Sequence, residues 1–474
     1  MNRRRFADLR FAIGTSVAVA CAACQHVPPA PLDAVANGER IAARSLDAPA
    51  VHAALARHEV PLTAANSWSL DQLTLAAWTL RTDLAVARSE VDAARAASGF
   101  DGQRRNPTVS TTTEKVIDPD VSDPWVIGAA LALTFETGGK REIREQRALA
   151  REQALEWRFG EALWAARAEV RAAWLDLALA HELVALDGEE ARLTRAFLSW
   201  VETRLAFGAA TTPERLAAVQ AVNESESRRE LDSAAATKAA ATLAAAIGVA
   251  PRELEKAPPA LPPFANLPTI AAEDVNRARD LALVNRLDVR RALAEYEIAE
   301  QDLQAAVASQ YPDITLAPGY LVDQVDHKIT LGLDLPVPLF HNASAAIAQA
   351  IAARALSAAK FDDVQSTALA AIDIGFSQYQ SSRSALAAAE QAERDATDAV
   401  ASLERQRAAG GANRGEVLAG QLALAGLKRN ALAARRAVLD AVTALENGVE
   451  RPLFPPSVIE PAGVMDELLV GSAQ

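Results

Sequence analysis

Cysteine is almost missing from this chain of 474 residues. The only two, Cys21 and Cys24, sit near its start. The rest of the sequence therefore has no disulfide and no thiolate metal site of its own. Aromatic residues make up only 5%. No apolar run reaches the ~18 residues of a transmembrane helix. A positive surplus is absent too, since the formal net charge is −13. A nucleic-acid role thus lacks electrostatic footing, and the acidic balance speaks mainly of solubility. Enzyme signatures are also missing: there is no G-x-x-x-x-G-K-[ST], no H-E-x-x-H and no G-x-S-x-G. Gly138-Gly139-Lys140 lacks the glycine loop that would make it a phosphate cradle. There are six histidines. His52 and His58 lie in a Pro-rich stretch and His327 and His341 near alternating segments, so packing or solvated roles outweigh metal ligation. No catalytic, cofactor or metal residue is assigned, and no cofactor is expected.

Alanine fills much of the space that aromatics leave, interleaved with Glu, Arg and Gln. Such composition suits long, closely packed helices. Two stretches break that pattern. In residues 313–335, Ile314, Leu316, Pro318, Tyr320 and Val322 alternate with Asp313, Thr315, Ala317 and Gly319. After a polar turn Ile329, Leu331, Leu333 and Leu335 alternate with Thr330, Gly332 and Asp334. A period of two in paired runs predicts an antiparallel hairpin. Each run matches the ~9–11 residues of a tilted membrane strand. One greasy face and one face that admits Asp fit a barrel with a wet lumen. A soluble two-sided sheet fits the alternation alone equally well. Residues 108–117 and 125–135 predict a second hairpin, with Trp125, Ile127, Ala129, Leu131, Leu133 and Phe135 on one face.

The first residues have the form of a secretory signal: Arg3, Arg4 and Arg5, then an apolar core from Phe11 to Ala20. Small residues before a cysteine resemble a bacterial lipobox. Residues 1–23 are read as a lipoprotein signal peptide and Cys24 as the lipidated residue, with Cys21 the alternative. The position three before Cys24, where the pattern prefers Leu, is Cys21 itself.

Further divisions follow composition. Residues 24–66 read as an extended N-terminal arm with a short helix. Residues 67–250 form a first repeat: a helix over 69–105 with a Ser69/Gln72 capping box, the hairpin 108–135, a long helix over 139–207 and a half helix over 214–247. A Pro-rich linker spans 251–272. A second repeat, 273–450, carries a short helix over 286–310, the hairpin 313–336, a long helix over 341–409 and a half helix over 414–447. Residues 451–474 are a C-terminal tail. The repeats align at an offset of 205 before the hairpins (Arg81 with Arg286, Asp83 with Asp288, Pro107 with Pro312) and 202 after them (Val170 with Ile372, Gly208 with Gly410, Glu214 with Glu416). The change is read as a shorter first hairpin loop. The period is that of a duplication, not of a solenoid.

A helix of 69 residues at ~1.5 Å per residue spans about 100 Å, and two half helices laid end to end match it. The fold class is therefore mainly α with a small β part: a rod of helices with a hairpin at one end and a glycine turn at the other. Four strands per chain cannot close a barrel, for which about eight is the minimum, and open edges do not persist in lipid. Three chains supply twelve.

This layout, with its lipobox, Asn106-Pro107 and Tyr311-Pro312 before the hairpins and the glycine turns, resembles the TolC-type outer-membrane factors of tripartite efflux pumps, over about residues 66–450. Glu136-Thr137-Gly138-Gly139-Lys140-Arg141 resembles the strand-to-helix junction of the outer-membrane subunits of cobalt–zinc–cadmium pumps. Pro336-Val337-Pro338-Leu339-Phe340 resembles the family's P-x-P-L-F element. The resemblance implies a homotrimer with a helical α-barrel and a shared twelve-stranded β-barrel in the outer membrane. It also implies contact with outer-membrane lipid, a periplasmic adaptor and an inner-membrane RND pump as partners, and passive conduction of heavy-metal cations. Drugs, proteins of a type I secretion system, or a periplasmic scaffold without a pore remain alternatives. It further implies that the turns RLAFGAATTPERL (204–216) and RQRAAGGANRGEVL (405–418) are partner-binding and gating tips. Their assigned residues are Arg204, Gly208, Glu214, Arg407, Gly410, Gly411 and Glu416.

Overall fold

The computed structural model describes residues 26–60, 67–117, 124–262, 264, 267–324, 326–340, 342–453 and 461–470. The leader with Cys21 and Cys24, and His341, lie outside the described residues. The chain divides into two units at Arg44/Ser45. In the first, α1 (Ala34–Ala42) is capped by Asp33, whose carboxylate accepts the amides of Val35 and Ala36; none of its residues is buried. The arm thus carries one helix before Ser45. A second, α2 (Pro49–Arg57), belongs to the other unit and buries Val51, Ala54 and Leu55.

In the second unit the helices are long where alanine and charge alternate without Pro. They are α5 (Lys140–Ala206) and α10 (Ser344–Ala408), preceded by α3 (Leu70–Leu80) and α4 (Thr82–Asp101). Half-length helices α6 (Thr212–Ile247) and α11 (Arg414–Val449) follow the turns, and α7 (Pro251–Lys256), α8 (Ala272–Asn285), α9 (Leu287–Ala308) and α12 (Pro461–Val470) complete the set. The main core gathers Leu73, Leu75 and Trp78 with Leu163, Val170, Leu243 and Ile247; Val51 and Leu55 join it from α2, and Val464, Met465 and Leu469 from α12. The Pro-rich linker is fastened to this body: the Trp68 amide donates to Pro258 and the Ala260 amide to Trp68, and Phe264 enters a second core cluster. The tail is likewise helical and docked over Pro461–Val470.

The helix expected over 69–105 is two helices. Ser69 and Gln72 close the predicted capping box, but Arg81 adopts an extended backbone (φ −69°, ψ 133°). Its guanidinium grips Asp83 and Glu169 and donates to the Ala246 carbonyl at 3.1 Å, in the last turn of α6. Thus α4 starts where α6 ends, and the orphan carbonyls of that buried terminus gain a donor. The second repeat does the same. Arg286 (φ −58°, ψ 143°) separates α8 from α9 and donates to Asn447 and Gly448 carbonyls at the end of α11. The lengths therefore match differently from the expectation: α4 and α6 alone lie end to end, while α3 turns aside into the core.

Two hairpins form one antiparallel sheet in the order β1 (Thr108–Lys115), β2 (Trp125–Phe135), β3 (Ile314–Asp323), β4 (Asp326–Asp334). The loop expectation is reversed. Only residues 324 and 325 separate β3 from β4, whereas 116–124 separate β1 from β2. A falling offset means residues lost from the second repeat, and part of the loss is returned by the longer passage 335–343 before α10.

Glu450 occupies the position where the first repeat has Gly248. Gly248 ends α6 at φ +88°; Glu450 holds the same left-handed region at φ +50°. Its carboxylate accepts the Leu287 amide at 2.7 Å, capping α9, and lies 3.6 Å from Arg286. Burial pushes Glu450 up to about 7, against the pull of Arg286, with Asp288 and Glu161 adding repulsion. Because the folded value lies above the unfolded one, the native state holds the extra proton. The stability contributed is present below the usual carboxylate range and is lost as pH rises through about 7. Thermal unfolding at about pH 5 and about pH 8 should show that loss in the wild type and a flatter profile in Glu450→Gln. Equal slopes in both would remove Glu450 as its source.

Candidate functional site

Strand register assigns every sheet residue to a face. Ile127 pairs with Val322, Leu133 with Leu316, Leu316 with Leu333 and Tyr320 with Ile329. One face therefore carries Val109, the odd residues from Trp125 to Phe135, the even residues from Ile314 to Val322, and Ile329, Leu331 and Leu333. It is open: Ile329 is 90% exposed and Leu331 73%. At its loop end Tyr320 Oη meets His327 Nδ1 at 2.5 Å, and Lys115 lies over Trp125. The opposite face lines a groove of about 550 Å³ in which Ser110, Thr112, Glu114, Gly128, Asp323 and Thr330 outnumber the larger apolar Val116, Val126 and Leu321. An apolar band backed by a polar, small-residue face is the pattern of a membrane barrel wall.

At the base of the sheet the junction motif becomes a polar knot. Gly138 and Gly139 both have positive φ, +66° and +72°, which lets β2 turn directly into α5. Lys140 Nζ reaches the Tyr311 carbonyl at 2.6 Å and Asp313 at 2.7 Å. The Thr137 hydroxyl donates to the Pro312 carbonyl at 2.7 Å. Arg144 grips Glu136 with two bonds, and Arg105 lies 3.3 Å from Glu136. The Arg144 hydrogen bond holds Glu136 below the usual carboxylate range. Burial pushes Asp313 up, but the Lys140 and Thr137 hydrogen bonds and the nearby cations leave it lowered. The motif thus welds the first repeat's exit from the sheet to the second repeat's way in.

At the other end of α5 and α10 lie the two turns. Gly208 (φ +71°) and Gly410 (φ +80°) are left-handed, and a Cβ on either would meet nothing. Their role is conformational. The Ala209 amide donates to Arg204, and the Gly411 amide to Gln406, closing the same helix-end motif twice. Glu214 and Glu416, assigned by sequence to the tips, are the return arms of capping boxes with Thr211 and Asn413. Glu214 is held below its usual range by the Thr211 amide and hydroxyl. Arg204 stacks on Trp200 at 4.8 Å and donates to the Ala209 carbonyl. Arg407 and Gly411 are exposed. Sequence reasoning passed over Trp200 and Gly415; the clue was a helix-start glycine with no turn to serve.

Among the described residues no group of three or more His, Cys, Asp or Glu side chains is placed to hold a metal ion. No described helix is long and apolar enough to cross a membrane. His52 lies 3.8 Å from Asp47.

This combination, a four-stranded barrel-type sheet on duplicated long helical hairpins, defines the TolC-type outer-membrane channel fold. Residues 278–448, most of the second repeat, match the family model described as outer membrane efflux protein. The outer membrane protein VceC from Vibrio cholerae shares the fold at a TM-score of 0.66 and 20% identity, over 80% of this chain and 95% of that one. The CmeC outer membrane channel of Campylobacter jejuni matches at 0.64 and 14%, over 94% and 97%. CusC, described for transmembrane channel formation, matches at 0.64 and 14%, over 90% and 99%. No curated protein matches the chain by sequence. Fold and matched family are those of outer-membrane proteins.

Removing Glu136 would take the paired carboxylate from Arg144 and the nearer one from Arg105, leaving the Asp101 carbonyl and Asp313. Glu136→Ala should cost about 1–3 kcal/mol and expose the joint to trypsin after Arg141 or Arg144. Unchanged heat stability together with an uncut joint would show that the knot holds nothing.

Proposed function

We propose that this chain is the exit duct of an efflux assembly, conducting substrate passively from periplasm to exterior. The observation that carries the reading is the two-faced sheet with unpaired edges on β1 and β4. Those edges require partners in lipid, and β4 of one copy beside β1 of the next closes twelve strands from three chains. The polar groove face then lines the lumen and the Ile329–Leu333 face meets lipid. A lipid anchor on Cys24 would hold the mature start at the same membrane. The turns around Gly208 and Gly410 sit at the far end of α5 and α10, where a periplasmic adaptor's hairpins would dock and an inner-membrane RND pump would deliver substrate.

Heavy-metal cations are the proposed cargo. The support is the junction motif 136–141 alone. Glu136, Thr137 and Lys140 are engaged in the knot, so the motif speaks for a subgroup and not for a cation path. Deletion followed by susceptibility tests across metals, dyes and antibiotics decides the cargo.

The duct itself is tested by mass measurement in detergent and conductance in planar bilayers. A trimer with stable conductance is expected. Leu331→Arg, on the lipid face, should lose about 2–4 kcal/mol near the midplane and fail to insert. Gly332→Arg, on the other face, should insert and alter conductance. A folded monomer without conductance would end the reading.

In cells, labelled fatty acid should follow the protein and be lost in Cys24→Ala, while crosslinkers at Ala209 and Ala412 should trap the adaptor. Label retained by the variant, or no adaptor captured from either position, would remove that part of the assembly.

A further inference from the structure

Gly415 is buried at the second position of α11, and its φ is not positive. Its missing side chain therefore serves no backbone conformation, and glycine is a poorer helix former there than alanine. What it does serve is a close approach. A Cβ on Gly415 would fall 2.2 Å from Cη2, 2.4 Å from Cζ2 and 2.5 Å from Cζ3 of Trp200. The indole edge of α5 rests directly on the backbone of α11.

The ring is held in that seat from two sides. The Arg204 guanidinium lies 4.8 Å from its centroid and the Phe197 ring 5.5 Å away. Arg204 also donates to the Ala209 carbonyl inside the first turn. One line of contacts thus runs from the Gly208 turn, through Arg204 and Trp200, to the helix that starts just after the Gly410 turn. The duplication does not repeat it. At the offset of 202 the counterpart of Trp200 is Ser402 and that of Gly415 is Pro213. The contact occurs once per chain and joins the first repeat to the second.

We propose that Trp200 seated on Gly415 is a clasp that holds the two tip turns of each chain together and keeps the inner end of the duct narrow. This rests on the duct reading above. Widening the tip ring separates the hairpin of α5 and α6 from that of α10 and α11, so the ring must leave its seat. Arg204 couples that departure to the first turn, where a docking partner would pull.

The test uses the full-length protein in four variants: Trp200→Ala, Gly415→Ala, the double variant and Trp200→Phe. Two readouts are single-channel conductance with bulky-antibiotic entry into cells, and amide hydrogen exchange over residues 208–216 and 410–418. Each alanine variant should raise leak several-fold and speed exchange at both turns. Gly415→Ala should add nothing in the Trp200→Ala background, because the ring it strikes is gone. Trp200→Phe should restore part of the closure. Assembled single variants with wild-type leak and wild-type exchange would overturn the clasp. So would a Gly415→Ala effect that persists undiminished without Trp200. A wild-type protein that conducts nothing would fail the duct reading, while exchange at the turns still decides whether the clasp exists.

Discussion

Helices half as long as their neighbours must end in the middle of the body, and a buried helix end leaves carbonyls without donors. The rest of this structure depends on how that is met. In the first repeat Arg81 sits where α3, α4 and the end of α6 converge and supplies a guanidinium to Ala246. In the second, Arg286 supplies Asn447 and Gly448. Each arginine abandons helical geometry to do so. The kink then frees α3 and α8 from the long-helix direction and lets α3 fold into the core. One residue per repeat satisfies a helix terminus, sets where the next helix begins and turns the preceding one aside.

The two repeats are locked by a second buried charge group close to the same level. Glu446 of α11 is fully buried between Arg171 and Arg167 of α5. Arg167 in turn lies over Trp164, whose indole donates to Asn447. Two cations against one carboxylate are not a strong source of stability by themselves, because desolvation offsets much of the attraction. They do penalise any packing that separates α5 from α11, so they favour one arrangement of the repeats. Gly375 adds a steric version of the same constraint: a Cβ there would stand 3.1 Å from the Leu445 Cα, which keeps α10 and α11 in close contact.

Much of this was legible in sequence because it is written in periods and lengths. Alternation of two marked four strands and their faces, and unbroken alanine-rich runs marked the long helices to within a few residues. Arg81 was not legible as a break: arginine is a good helix former, and the apolar phase continues through it. At Arg286 the expected helix already began, but α8 before it was not read. The reason for both breaks lies in carbonyls some 160 residues away in sequence. Glu214 and Glu416 show the opposite case. The capping-box spacings Thr211-x-x-Glu214 and Asn413-x-x-Glu416 were present to be read, yet both residues were assigned to the tips from resemblance. The junction motif was visible as a motif, but its work with Asp313 and the Tyr311 carbonyl needed the strand pairing that brings the repeats together.

A duplicated chain begins with every device in two copies, so positions where the copies differ mark what symmetry alone does not supply. Three such positions stand out. Glu450 replaces Gly248 at a helix end and brings a further carboxylate, with its titration, to a position that in the first repeat has no side chain beside Arg81. The β3–β4 loop has shrunk to two residues while β1–β2 keeps nine, which makes the two hairpin ends unequal. Trp200 and Gly415 face each other where the symmetric pair would be Ser402 and Pro213, so the contact has a direction, from the first repeat onto the second. In the trimer proposed above, where three chains would bring six similar turns together, that direction matters. Identical turns would offer identical contacts and no preference for which neighbour each one grips. A single aromatic seat per chain pairs each turn with its own partner in the same chain, which in the proposed trimer would sort six similar loops into three defined pairs.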